Sequence, residues 1–420
     1  MPPKSPVRLH TYAASFGDDF ARESISENMD RGGTLLDPWV GSATGPVQAR
    51  MLGVNGIGID VDPVACLIAR VSVTPYSIYE LDDISAIVDN ELWIIEAELA
   101  SSDFTQNSWL PGDTFSLNGF QAAVPENDAI EFWFAPVQRA VLASLAAMSD
   151  SLPTPRYQEV VQLAISSSII RKWPNTISQA RDIDHSRPHR VVRDDITVAS
   201  QIGIFRKAVR DILVRLKAIN VYCQDRTEWE IVEGNTKDKM GGIAPNSIDY
   251  ILTSPPYFNA IDYPRSHKFS HWWLWPERRP LDKSYYLGLM SGGKDGDDTI
   301  AKCYSIVPEY KKRIEAIAEV SQATHQNLCK YINELREVVV QFPDLLKQDG
   351  KASFVVGNNV IKGHTIPTTE ILADMLKQSG LYDVNIEPRE INTGKRRYPY
   401  GITGFKELMT SEYVVCARKS

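Results

Sequence analysis

The chain is poor in several things, and each shortage removes a class of protein. Among 420 residues there are five cysteines, Cys66, Cys223, Cys303, Cys329 and Cys416, with no CxxC and no Cys/His ligand spacing. Neither a disulfide framework nor a zinc site is expected, no metal is implied, and a reducing cytoplasm fits. No uncharged apolar window approaches the ~20 residues of a membrane-spanning helix. The opening stretch MPPKSPVRLHTYAASFGDD lacks the apolar segment of a secretory signal. A soluble cytoplasmic protein without a membrane partner is therefore expected. A basic excess is also missing: 45 Lys and Arg stand against 53 Asp and Glu, a net charge of -8. Bulk charge does not suggest attraction to phosphate, so any nucleic-acid contact would come from local clusters, at Arg187 to Arg193, Arg265 to Lys268 or Lys395 to Arg397, whereas Lys311 to Arg313 begin a helix and read as a solvated surface. No Gly-Lys-Ser/Thr follows a glycine-rich loop and no GxGxxG is found, which excludes the usual phosphate and dinucleotide cradles.

What is present is an alternation of strand and helix patterns. A hydrophobic fraction of 43% supports a large core, either in one domain with insertions or in two to three domains. Thr34 to Leu36, the loop DPWVGSATG, a helix over Pro46 to Leu52 and the run GVNGIGIDVDP read as strand, turn, helix, strand. From about Tyr76 to about Tyr222 the pattern is mostly helical. From Trp229 strands return in WEIVEG, SIDYILTSPPY, GKASFVVGNN, YDVNIEPREI and SEYVVCARK, with a long helix expected over Pro308 to Lys347 and another over Thr368 to Ser379. The expected fold is α/β, a mainly parallel sheet with helices on both faces and a large helical insertion. The division is residues 1–75 and 223–420 for the two parts of the core and 76–222 for the insertion.

In such a sheet ligands sit beyond the carboxyl ends of the strands. Three motifs belong there. Asp37, Pro38, Trp39, Val40, Gly41, Ser42, Ala43, Thr44 and Gly45 form a loop of small residues that lets a ligand approach the backbone. Asp60 follows the strand Ile57 to Ile59, where a carboxylate can accept from ribose hydroxyls, while Asp62 before Pro63 suits a helix N-cap. Thr253-Ser254-Pro255-Pro256-Tyr257-Phe258 ends a third strand. Its prolines make a stiff ledge with unpaired carbonyls, Ser254 adds an acceptor, and the rings of Tyr257 and Phe258 offer flat faces. That chemistry suits a planar aromatic amine.

Taken together, these residues resemble the S-adenosylmethionine-dependent DNA amino-methyltransferases, whose members acting on cytosine N4 commonly carry Ser-Pro-Pro-Tyr. The likeness includes bacterial and phage enzymes with an extended motif similar to TSPPYFNAIDYPRSHKFS, and it extends to HTYAASF, GIDVDP and REINTGKRRYPYG. It implies a Rossmann-like methyltransferase core and S-adenosylmethionine as cofactor. By carry-over, His10, Tyr12, Phe16, Asp37, Pro38, Trp39, Gly41, Ser42, Thr44, Asp60, Val61, Asn235 and Thr253 would line the cofactor site. Ser254, Pro255, Pro256 and Tyr257 would hold a flipped base in catalysis. Arg265, His267, Lys268, Lys395, Arg396 and Arg397 would line a DNA channel. Two positions depart from the pattern: Gly234-Asn235 stands where Gly-Asp is usual, and Ala43 where glycine is, so a left-handed backbone there would be strained. The implied partner is double-stranded DNA, with a cognate restriction endonuclease or defence proteins as further partners. Adenine N6 and a silent DNA-binding subunit are the alternatives to cytosine N4.

Overall fold

The computed structural model describes residues 8–12, 15–102, 104–105, 107–117, 119–182, 196–223, 226–258, 263–278, 297–361, 363–389 and 412–420. Lys395, Arg396 and Arg397 lie outside the described residues, as do most of REINTGKRRYPYG, the MSGGKDG stretch and the basic cluster 187–193.

The core sheet has seven strands: β1 (Thr34–Asp37), β2 (Asn55–Asp60), β5 (Trp229–Glu233), β6 (Ile248–Thr253), β7 (Leu346–Val356), β10 (Tyr382–Arg389) and β11 (Glu412–Arg418). They lie in the order β10-β11-β7-β6-β1-β2-β5. The five from β7 to β5 run parallel, whereas β11 is antiparallel to both β7 and β10. Leu35, Leu36, Tyr250, Ile251 and Leu252 are fully buried because helices cover both faces, which is why β1 and β6 read as unbroken apolar runs.

On one face lie α1 (Asp18–Asn28), α2 (Thr44–Met51) and α3 (Pro63–Val73). Asp62 caps α3 by accepting from the Val64 N–H, 2.9 Å, with Pro63 in the first turn, as the sequence indicates. The stretch 76–222 packs outside this face. It holds α4 (Ile78–Ala100), the hairpin β3 (Thr114–Leu117) and β4 (Phe120–Ala123), then α5 (Ala129–Trp133), α6 (Pro136–Ser151), α7 (Pro155–Ile169) and α8 (Val198–Tyr222). It shares one hydrophobic cluster with α2 and α3, so it is fused to the core rather than tethered to it. After β5 and the short α9 (Thr236–Lys239) come β6 and α10 (Tyr263–Leu274), which packs back on α3, α6 and α7.

The other face is covered by α11 (Asp297–Ile306), α12 (Lys311–Val320), α13 (Gln322–Val339), the single turn α14 (Phe342–Leu345) and α15 (Thr368–Gln378). The single helix expected over Pro308 to Lys347 is thus corrected to three. Ser321 is extended and caps α13 by accepting from Thr324 N–H, 3.3 Å, so the chain turns there and both halves keep their apolar faces on the sheet. Beyond β7, β8 (Asn359–Ile361) and β9 (His364–Ile366) form a separate hairpin. No helix among the described residues is long and apolar enough to cross a membrane.

Candidate functional site

From β1 the chain moves outward to β2 on one side and later to β6 on the other, so the order of the sheet reverses between β1 and β6. A crevice beyond the carboxyl ends of the strands is expected at such a reversal. Asp37 ends β1 and Thr253 ends β6, and the Thr253 hydroxyl donates to Asp37 Oδ1 at 2.6 Å. Both are buried, Asp37 at 1% exposure and Thr253 at 0%. This bond joins the glycine-rich loop to the proline corner, although 216 positions separate them.

The loop after β1 turns sharply because Gly41 and Ala43 are both left-handed, with φ of 45° and 60°. Ala43 therefore has the strained backbone its residue type disfavours, at a cost of about 1–2 kcal/mol. The turn brings the Gly41 N–H to Asp60 Oδ2, 2.9 Å, and Val40 N–H to Ile59 O, 3.0 Å, locking the loop onto the end of β2. Gly45 sits so close to Asp37 that a methyl group there would lie 3.2 Å from its carboxylate, which explains a glycine in the first turn of α2. Ser42 and Thr44 share a hydroxyl hydrogen bond, 2.9 Å. Pro38 is held by Thr236 of α9, whose hydroxyl donates to its carbonyl at 2.7 Å.

Asn235 caps α9, its side chain accepting from Lys237 N–H at 3.2 Å. Trp39, Asn235, Thr236, Lys237 and Pro256 line one cavity of about 50 Å³, closed on the far side by Tyr331, Glu334, Leu335 and Val338 of α13. The first loop, the loop after β5 and the proline corner thus open onto shared space. Phe258 packs on Tyr331, ring centres 5.7 Å apart. Pro255 is buried, whereas Ser254, Pro256 and Tyr257 are half-buried. Burial pushes the Tyr257 hydroxyl up to about 12, with Glu412 adding to the rise and Ser254 and Arg389 opposing it. Arg389 and Glu412 form an ion pair, 2.6 Å, beside this ring, and the Arg389 guanidinium lies over Phe20.

The N-terminal segment reaches the same place. The Tyr12 ring covers Gly41, and His10 is buried, bonded to Ser166 at 2.9 Å and to the Thr11 carbonyl at 2.7 Å. Burial, reinforced by His267, lowers His10 to about 3, so it is neutral. Phe16 packs against Phe20 and the α2 start as part of the core. Val61 is half-buried between the two acids Asp60 and Asp62.

The acids are tuned in opposite directions. Burial raises Asp37 and Asp60 to about 7, despite hydrogen bonds to each that favour the charge. Burial acts on Asp62 as well, but the His267 charge and hydrogen bond, aided by His271, outweigh it and hold Asp62 far below the usual carboxylate range. His267 is 1% exposed and bonds through Nδ1 to Asp62, with His271 Nε2 3.5 Å away. Its expected place in a DNA channel is therefore corrected: α10 turns it inward, where it hydrogen-bonds to the acid that caps α3. Lys268 lies with its ammonium 4.3 Å from the centre of the Trp133 ring, a cation-π contact, and Arg265 is exposed.

Thr236, Tyr331 and Glu334 were not apparent as site residues from the sequence. Only Glu334 carried a signal, as an acid on the helical stripe of Tyr331, Leu335 and Val338, which are all buried.

A doubly wound sheet with one antiparallel strand next to its edge, three rim loops meeting at the reversal and a helical insertion is the Rossmann-like methyltransferase fold. No family model matches the chain. Its sequence is nevertheless related to type II methyltransferases over nearly its whole length. It is 20% identical to M.BsoBI of Geobacillus stearothermophilus, across 92% of this chain and 79% of that protein. It is 21% identical to M.MvaI of Kocuria varians, across 89% and 82% respectively. A shorter match, 31% identical over 98 residues, covers 23% of this chain and 18% of M.MjaII from Methanocaldococcus jannaschii. Among solved structures, TTHA0409 of Thermus thermophilus, described as a DNA modification methylase, aligns with a TM-score of 0.23 and 16% identity, across 44% of this chain and 50% of that one. The same protein solved with S-adenosyl-L-methionine gives a TM-score of 0.22, 14% identity, and 44% and 51% coverage.

Proposed function

We propose that this protein is a site-specific DNA methyltransferase that moves a methyl group from S-adenosylmethionine to the exocyclic amine of a flipped base, cytosine N4. The observation that carries the reading is the Thr253–Asp37 bond, with the cavity that Trp39 and Pro256 share: the loops assigned to donor and acceptor meet at one point of the rim. The relatedness to M.BsoBI and M.MvaI supports the same reaction class.

The residues fit the cofactor. Asp37 is a buried acid suited to the cationic methionine end. Asp60 keeps acceptor capacity for ribose hydroxyls while holding the loop through Gly41, and Asn235 stands at the rim of the cavity. When bound, S-adenosylmethionine supplies an electrophilic methyl carbon on a sulfonium.

A base stacked in a duplex cannot reach that carbon, so it must leave the helix, at a cost of a few kcal/mol. Tyr257 offers a face for the extruded ring. The Pro255 carbonyl and Ser254 Oγ accept from the amino group and turn its lone pair towards the methyl. Bound there, the cofactor would give its methyl group directly to that nitrogen, with no covalent intermediate on the enzyme, while these residues hold the amine. Ser254 orients and does not abstract, because its hydroxyl does not titrate near neutrality. Ser at this position favours cytosine N4, whereas Asp would favour adenine N6. Arg265 and the cluster Lys395 to Arg397 are assigned to DNA phosphates. The insertion 76–222 is assigned to target recognition, and a cognate endonuclease fits the type II relationship.

Tyr257→Ala tests the assignment. Loss of a base stack worth about 1–3 kcal/mol lowers methylation roughly 5- to 150-fold and leaves cofactor affinity intact. Unchanged methylation removes Tyr257 from this role.

A further inference from the structure

The cavity holds an acid that the reaction described above does not use. Both oxygens of Glu334 are buried and have no hydrogen-bond partner among the described residues. Two of the cations around it are engaged elsewhere: Lys237 and Lys302 both bind Glu337, at 3.2 and 2.7 Å. An unpaired buried carboxyl costs about 1–3 kcal/mol or more, so leaving Glu334 on the apolar stripe of α13 is expensive unless something arrives to pair with it.

The walls of the cavity say what would arrive. Trp39 and Tyr331 contribute aromatic surface, Leu335 and Val338 apolar surface, and Glu334 lies in the same lining as Asn235. A flat heteroaromatic ring with one polar edge fits such a lining. Most of the cavity's loop residues follow β1 and β5, the half of the sheet assigned to the cofactor, and only Pro256 belongs to the corner that would hold the target amine.

We propose that Glu334 reads the amidine edge of the cofactor's adenine, accepting from its 6-amino group and donating to the adjacent ring nitrogen. In this way it supplies from α13 the carboxyl that Asn235 lacks. The match needs a carboxyl that both donates and accepts. Burial raises Glu334 to about 8 even though Lys237, Lys330 and Lys302 oppose the rise, so it holds its proton at neutral pH. A protonated acid presents one O–H beside one carbonyl, the complement of an N=C–NH₂ edge. This inference rests on the cofactor assignment made above and goes beyond it by naming the residue that selects the ring.

The test is direct binding to the full chain by titration calorimetry. S-adenosylhomocysteine is compared with its analogue carrying hydrogen in place of the 6-amino group. The wild type should prefer the aminated ligand about tenfold or more. Glu334→Ala should bind the aminated ligand more weakly and lose the preference to within about twofold. Glu334→Gln, whose amide also donates and accepts, should retain it. A Glu334→Ala variant with a wild-type melting profile and an undiminished preference overturns the proposal. Unchanged cofactor preference with weakened binding of a random-sequence duplex also overturns it, because the ring in the cavity would then be the target base. Absence of any S-adenosylhomocysteine binding by the wild type instead sinks the cofactor assignment, and the proposal with it.

Discussion

Replacing Asp37 by Asn should change how stability depends on pH, and the structure sets the size and sign. Burial, with a smaller push from Asp60, raises Asp37 from 3.8 to about 7, against the hydrogen bonds from Thr253 and Trp39. Between those values the folded chain keeps a proton that the unfolded chain has released. The contribution is therefore complete below pH 3.8 and is lost as pH rises towards 7. Each pH unit well below 7 is worth about 1.4 kcal/mol and the slope halves as pH reaches 7, so from pH 5 to pH 7 the wild type should lose about 2 kcal/mol that Asp37→Asn does not lose. Asparagine keeps the shape and an acceptor for Thr253, so its fixed effect on stability cancels when slopes are compared. Urea denaturation of both proteins at pH 5, 6, 7 and 8, followed by tryptophan fluorescence, measures the gap. A gap that opens with pH in favour of the variant fits; two curves that stay parallel within about 0.5 kcal/mol would refute a buried, proton-bearing Asp37. A carboxyl held this way should ionise when a cationic ligand settles beside it, so binding of S-adenosylmethionine near pH 7 should release protons, visible as a buffer-dependent heat.

Other consequences are simpler to check. His267→Ala leaves Asp62 charged and buried and should destabilise the fold by about 3–5 kcal/mol in the same denaturation assay; if instead stability holds and only DNA affinity falls, the inward role of His267 is wrong. Thr236→Val removes one hydroxyl bond to the Pro38 carbonyl and should cost about 1 kcal/mol of stability while loosening cofactor binding. Ala43→Gly relieves left-handed strain of about 1–2 kcal/mol but gives up a buried methyl worth about 0.8 kcal/mol and adds unfolded-chain entropy of about 0.4–1 kcal/mol, so its melting point should barely move. A large loss would show that the methyl, not the backbone, decides this position.

The parts of the fold that were legible in the sequence are those where one physical rule dominates. β1 and β6 are short apolar runs stopped by Asp37 and by the Pro255–Pro256 pair, and no competing reading exists for them. The rim loops follow from the strands, because parallel order puts the ends of β1, β2, β5 and β6 on one side. The break between α12 and α13 was hidden: no Gly or Pro marks it, and Ser321 acts only through its own capping geometry. The β3–β4 hairpin lies in a stretch read as helical, although Asn118-Gly119 between short alternating runs is a turn signal. Long-range pairings were invisible for a different reason. Asp62 and His267 are 205 positions apart, and a histidine in a basic cluster looks like a surface residue until α10 is seen to pack on α3. Glu334 was missed because a charged residue on a helix is ordinarily solvated; its place on an apolar stripe was the one signal, and the cavity shows what that stripe faces.

The most direct measurement is nucleoside analysis of unmethylated DNA treated with the purified protein and methyl-labelled S-adenosylmethionine. The account predicts label on N4 of cytosine with the wild type and little or none with Tyr257→Ala. Label on adenine N6 would contradict the choice of base, and cofactor that binds without any transfer to DNA would contradict the meeting of the two loops as a site of reaction.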